Sequence, residues 1–200
     1  MPSDDSFLHL TSNDYFENDK LSHLSAKSQH LARKEFYKCD FENCMLTENE
    51  FAGCIFEDCT FAGCDLTMSK PLQAAFRGVR FRECKLMGVN WSEASPGLDV
   101  GFERCQLSFS TFMGLSLPKT QFIDCIAKEV NFIDTDLKQA KFQGTNLAGS
   151  RFLRTNLTKA DLSEALDYYI PPLENTIVKA RFSMQAAITL AESFGVIVAS

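Results

Sequence analysis

The chain has 200 residues, 45% of them hydrophobic and 23% charged, which suits one folded domain and excludes a disordered polypeptide. A formal charge of -6 argues against a surface built to grip a nucleic-acid backbone. No run of about 18 apolar residues is present to span a membrane.

The N-terminus, "MPSDDSFLHLTSNDYF", is acidic and polar and lacks the basic start and apolar stretch of a signal peptide. A cytoplasmic protein with reduced thiols is therefore expected. Residues 1–30 read as an N-terminal cap with a degenerate first coil, in which Phe16, Leu21 and Ala26 foreshadow the pattern that follows. His9, His23 and His30 all fall here, without a carboxylate motif around them, and read as surface residues.

From Leu31 the chain is written in fives. Leu31, Phe36, Phe41, Leu46, Phe51, Phe56, Phe61, Leu66, Pro71, Phe76, Phe81, Leu86 and Trp91 keep one beat. After a slip of one residue it resumes at Phe102 and continues to Leu162, with only Pro71 and Ala127 departing from Phe, Leu or Trp. From Cys39 onward the residue two before nearly every centre is small, Leu115 being the largest exception, and all eight cysteines fall on that position. A helix would spiral a period of five around its axis, and a strand would flip it from face to face. The period fits a chain that turns a corner after every pentapeptide, with one large and one small residue inward on each side. Residues 31–166 are thus expected to form a solenoid of such sides.

Its outer surface carries two legible features. Asp40, Glu42, Glu48, Glu50, Glu57, Asp58 and Asp65 form an acidic run with no Lys or Arg between Cys39 and Asp65. It is either a solvated surface or a negative strip that meets a basic groove. Leu72, Met113, Ile133 and Leu153 follow their centres on one wall and should stack as an apolar column, interrupted by Ser92. That column is either a contact site or covered by the C-terminal segment. The slip near "SPGLD" reads as a bulge or corner extension, too short for a protruding loop.

At Asp167 the beat fails, and the prolines of "DYYIPPLEN" break the solenoid, so that 167–200 form a separate C-terminal segment. "SMQAAITLAESFG" reads as a helix with Ser183 as N-cap and Gly195 as its stop. "VIVA" then reads as a short apolar strand. Phe182, Met184, Ala187, Ile188, Leu190, Ala191, Phe194, Val196 and Val198 make this segment too apolar for a solvated appendage. It either caps the rod or pairs with a second copy.

No chemistry announces itself. Cysteines five apart do not match zinc-ligand spacings, and those twenty apart (Cys39 with Cys59; Cys44, Cys64 and Cys84; Cys105 with Cys125) should stack on one wall as small hydrophobes. No GxSxG, P-loop or dinucleotide fingerprint is present. No enzyme, metal or cofactor is expected.

"TNLAGSRFLRTNLTKADLSEA" closely resembles the consensus of pentapeptide repeat proteins. The resemblance implies an all-β fold, a right-handed quadrilateral parallel β-helix, here with a short C-terminal helix and strand. Through "CKLMGVNW", "DYYI" and "ARFSMQAAITLAESFGVIV", the chain is most similar to the group that protects DNA gyrase: the Qnr-type and MfpA-type proteins and the immunity factors of albicidin and microcin producers. That likeness implies a homodimer joined through the C-terminal segment. It would mimic DNA, engage gyrase or topoisomerase IV, and counter quinolones or natural poisons, with no nucleic acid bound directly. The protruding loops of Qnr-type members are missing, which places the chain nearer the immunity factors. A scaffold unrelated to topoisomerases is the alternative.

Overall fold

The computed structural model describes residues 10–198. It is a parallel β-solenoid of about eight turns, which at roughly 4.8 Å per turn makes a rod about 38 Å long. Each turn has four walls. The first wall stacks strands Tyr15–Glu17, Glu35–Tyr37, Ile55–Glu57 and Ala75–Arg77 in register. The second runs from Lys20–Ser22 through Asp40–Glu42, Thr60–Ala62, Val79–Arg82 and Val100–Glu103 to Phe122–Ile123. The third is a ladder of single bridges that includes Met45, Asp65, Lys85, Gln106 and Ile126. The fourth begins with His30–Ala32 and Glu50–Ala52 and continues through bridges at Lys70, Thr111, Asn131 and Arg151.

Phenylalanine is demanded by the spacing of the turns. On the second wall the rings of Phe41, Phe61, Phe81, Phe102, Phe122 and Phe142 stack at 4.3–5.5 Å, matching the rise of one turn. Rings on the opposed second and fourth walls meet edge to face across the core, as Phe112 and Phe122 do at 5.7 Å. The corners explain the period of five. The second residue after nearly every centre has positive φ, the left-handed conformation that reverses the chain direction.

At many turns the small inward position also carries a hydrogen bond. Cys54 Sγ donates to Leu31 O at 3.2 Å and Cys59 Sγ to Phe36 O at 3.3 Å. Ser69, Thr135, Thr145 and Thr155 donate their hydroxyls to the equivalent carbonyls at 2.7–2.9 Å. Cysteine, serine and threonine thus use the carbonyl as well as the space, whereas Ala74, Val79, Val89, Val130, Ala140 and Ala160 fill the position by size alone. Leu115, the largest residue there, is only partly buried and packs against the core.

Three features differ from the sequence expectation. The extra residue between Glu93 and Asp99 lengthens to 21 only the intervals that span it, so Phe81 pairs with Phe102 and Cys84 lies below Cys105; beyond it the interval returns to 20, as from Phe102 to Phe122. The expected groups of three and two cysteines are therefore one column of five: Cys44, Cys64, Cys84, Cys105 and Cys125. The sequence ends the solenoid at residue 166, yet the ladder resumes beyond the prolines, with Asn156 bridged to Thr176 and Asp161–Leu162 paired with Arg181–Phe182. Pro171 and Pro172 occupy a corner turn, and only the pairing around them is lost. Val196–Val198 form no strand: Val196 N turns back to Ala191 O of the helix at 3.3 Å instead of joining a ladder, and Ala199 lies outside the described residues.

Among the described residues no helix is long and apolar enough to cross a membrane.

Candidate functional site: the outer walls and the C-terminal end

The interior is filled, so any site lies outside. All eight cysteines are buried and unbridged. Desolvation raises Cys54 to about 11 and Cys59 to about 12. Hydrogen bonding to sulfur neighbours, then burial, raises Cys44, Cys84 and Cys125 as well. Neighbouring S–H groups favour negative charge at Cys64 and Cys105, but burial opposes it and no cation stands by either sulfur. We take the whole column as neutral thiols. Among the described residues no cluster of three or more His, Cys, Asp or Glu could hold a metal ion.

Two consequences can be measured. A thiol reagent should label none of the cysteines in the folded protein and all eight after denaturation; rapid native labelling would contradict the burial. Because the folded thiol pKa values lie above the ordinary value of 9.0, the stability from keeping them neutral is intact below pH 9 and is lost as pH rises toward 11–12. The urea midpoint should thus fall between about pH 8 and about pH 10.5.

The acidic run does not make one strip. Asp40 and Glu42 lie on the second wall, Glu57 and Asp58 on the first, Glu48 and Asp65 on the third, and Glu50 on the fourth. Four of the seven meet a Lys or Arg from an adjacent turn: Glu42 with Lys20 at 2.9 Å, Glu48 with Lys27 at 3.2 Å, Glu57 with Arg77 at 3.5 Å and Asp65 with Lys85 at 3.7 Å; Glu50 lies 2.8 Å from His30 Nδ1, an ion pair only when that imidazole is protonated. A hydrogen bond from Ser28, with Lys27 behind it, holds the Glu48 carboxyl below its ordinary range. Asp40 and Asp58 have no such partner within the described residues. Exposed pairs of this kind add little stability, but they cancel much of the local field.

The residues of the apolar column lie on the fourth wall, with Met113 47% exposed and Leu72, Ile133 and Leu153 half-buried. Leu173, 80% exposed, extends it one turn further. The C-terminal helix does not cover it.

That helix, Met184–Ser193, is capped by Ser183, whose Oγ accepts from Ala186 N, and stops at Gly195 with φ 78°. Tyr168 latches it to the last turn: its hydroxyl donates to Leu162 O at 3.0 Å and accepts from Ser183 N at 3.1 Å. Ala186, Thr189 and Leu190 line a small cavity with Tyr169, Ile170 and Phe182. No helix residue is fully buried. Met184 is 80% and Phe194 59% exposed, and Ala187, Val196 and Val198 are exposed beside them, whereas Phe182, Ile188, Leu190 and Ala191 are half-buried. The segment therefore covers the rod with one side and leaves an apolar side free.

A family model described as a pentapeptide repeat region matches residues 34–95 and 98–166, breaking at the one-residue insertion. The chain belongs to the pentapeptide repeat family. Among solved structures, a trypsin-treated variant of QnrB1, a plasmid-mediated fluoroquinolone resistance protein, shares 18% identity, with 90% of this chain and 100% of that chain covered and a TM-score of 0.66. Full-length QnrB1 shares 20% identity over 88% and 100% of the two chains, with a TM-score of 0.51. HetL from Nostoc sp. strain PCC 7120, involved in heterocyst differentiation regulation, shares 13% identity over 92% and 93%, with a TM-score of 0.56. These likenesses establish the fold. No curated protein sequence matches the chain.

Sequence reasoning overlooked one surface of this repeat protein. Of the 22 non-glycine residues with positive φ among the described residues, only Met68 and Phe109 are apolar, and both stand at the corner between the third and fourth walls. The signal was in the sequence, as apolar residues in the outward position reserved elsewhere for polar side chains or glycine.

Proposed function

We propose that this chain is a non-enzymatic, dimeric binding protein that engages DNA gyrase or topoisomerase IV in the cytoplasm and shields it from quinolones or natural poisons. The observation that carries the reading is a filled rod with one free apolar end. Such an end is suited to joining two rods into one long body that presents only outer walls to a partner. The whole-chain likeness in fold to QnrB1, described as a resistance protein, supports it. A supercoiling assay with ciprofloxacin or a peptide poison tests it: the protein should restore supercoiling. Neither protection nor inhibition, together with undetectable gyrase binding, rejects it.

The ion-paired acidic run favours a second reading, a scaffold that binds other proteins, as many solenoids do. The two unpaired carboxylates separate the readings. Asp40→Asn with Asp58→Asn should weaken gyrase binding by roughly threefold to tenfold if charge complementarity matters. Unaltered affinity removes the acidic run from the argument.

A further inference from the structure

The corner between the first and second walls changes character along the rod. In the later turns it carries Lys119, Gln139, Lys159 and Lys179, one per turn and all at positive φ. Beside them stand Lys141, Asp161 and Arg181 on the second wall and Lys138 on the first. This band holds six cations and one carboxylate, in a chain whose formal charge is -6. Asp161 is occupied: Arg181 pairs with it at 3.0 Å and Ser163 Oγ donates to it. The five lysines are exposed, and none is in an ion pair among the described residues. The flanking acids do not neutralise them. Asp136 accepts from Lys138 N and Asn156 Nδ2, and Asp134 pairs with Arg154. Asp124 and Glu164 lie beyond the other edge of the second wall, roughly 10 Å across it, and Glu174 beyond the other edge of the first.

Where the band begins, beside the extra residue, lies a groove of about 720 Å³. Gly101 leaves it without a side chain in the column shared by Arg80 and Gln121, and a Cβ there would meet Arg80 Cδ at 3.1 Å. Leu98, Pro118 and Ile123 give the groove an apolar lining. Its charges cancel except for one. Arg80 pairs with Asp99 at 3.1 Å and Arg82 with Glu103 at 3.5 Å, so Lys119 is the free cation of the groove and also the first of the band.

We propose that groove and band together receive an acidic, unfolded tail of a partner protein, anchored by one large apolar residue. Lys159 and Lys179 stand one turn apart at the same corner, a repulsive pair that packing does not require. Many cations elsewhere on the rod meet a carboxylate from a neighbouring turn, as Lys20 meets Glu42 and Lys85 meets Asp65. Here the counter-charge must come from outside. Gly101 to Arg181 is four turns, about 19 Å, which an extended chain covers in about six residues. Runs of like charge stay unfolded and suit such a tail. Lysine, a flexible point charge, meets carboxylates without demanding a fixed geometry. A nucleic-acid duplex suits the edge less. It is stiff, and continuing along this corner it would meet Asp58 and Asp40, where only Lys38 stands unpaired. The band also offers no exposed aromatic ring on which a base could stack. The inference does not depend on the partner's being a topoisomerase.

The probe is a labelled synthetic peptide of one Leu followed by about six Glu, beside one twin with Gln for Glu and another with Ser for Leu. Fluorescence anisotropy at low salt should show the Glu peptide bound at least about tenfold more tightly than the Gln twin, and at least about threefold more tightly than the Ser twin. Lys138→Glu with Lys159→Glu should weaken binding by at least about tenfold while circular dichroism stays unchanged. Lys128→Glu with Arg151→Glu, near the opposite corner, changes the net charge equally and should leave affinity within about twofold. Equal binding of the Glu peptide and either twin, no binding up to millimolar peptide, or equal losses in the two double variants overturns the proposal. Tighter binding of a DNA duplex than of the Glu peptide at the same salt also overturns it, by assigning the band to a nucleic-acid backbone.

Discussion

Phe122→Ala should lower the unfolding free energy by about 3–5 kcal/mol, the largest loss expected from a single truncation in this rod. The ring is fully buried, between Phe102 at 5.3 Å and Phe142 at 5.0 Å, and is edged by Phe112 and Phe132. The turns above and below cannot close on the cavity, because Phe102 N to Gln121 O and Phe122 N to Lys141 O, both 2.8 Å, hold their spacing. Phe16→Ala is the control. Phe16 is equally buried and stacks on Phe36, at 4.8 Å, in the first described turn. In a solenoid stabilised by nearest neighbours, an end turn opens locally, so the midpoint of urea unfolding should move much less. Equal losses at the two sites would contradict that picture.

Phe194→Asp should convert a dimer into a monomer, weakening self-association by at least about 100-fold in sedimentation equilibrium. Phe194 is the C-cap of the terminal helix and stands in the free apolar side with Met184 and Val196. A carboxylate there would be buried without a counterion in the interface but well solvated in the monomer, so the helix itself should persist. Ser183 and Tyr168 still hold its start. An unchanged mass would remove this end from the interface, and a monomeric wild-type protein would remove the dimer altogether.

The sequence showed the solenoid because its rule is local: one centre and one small residue recur every five positions, and each pentapeptide states it again. What it hid was the relation between turns. Glu42 looks unopposed along the chain, yet its counterion is Lys20, one turn back. Reading partners at intervals of 20 rather than neighbours would have found it. The five-cysteine column was split in two because the slip changes that interval to 21. The last strand failed for another reason. "VIVA" has strand composition, but strand formation depends on a partner backbone, which composition does not report. Tyr168 could not be assigned as the helix latch, because it acts by folding back on Leu162 and Ser183 across a broken repeat.

The extra residue between Glu93 and Asp99 has a consequence for how the chain finds its own alignment. Turns built from nearly equivalent pentapeptides are almost interchangeable, so a strand displaced by one whole turn would still bury a phenylalanine over a phenylalanine. A single irregular interval removes that ambiguity, as a notch does on a ruler: only one alignment brings the longer step against Phe76 O, which Asp99 N reaches at 3.0 Å. Deleting one residue there would erase the notch. The cost would then appear in the yield of correctly aligned chains on refolding more than in the stability of those that succeed.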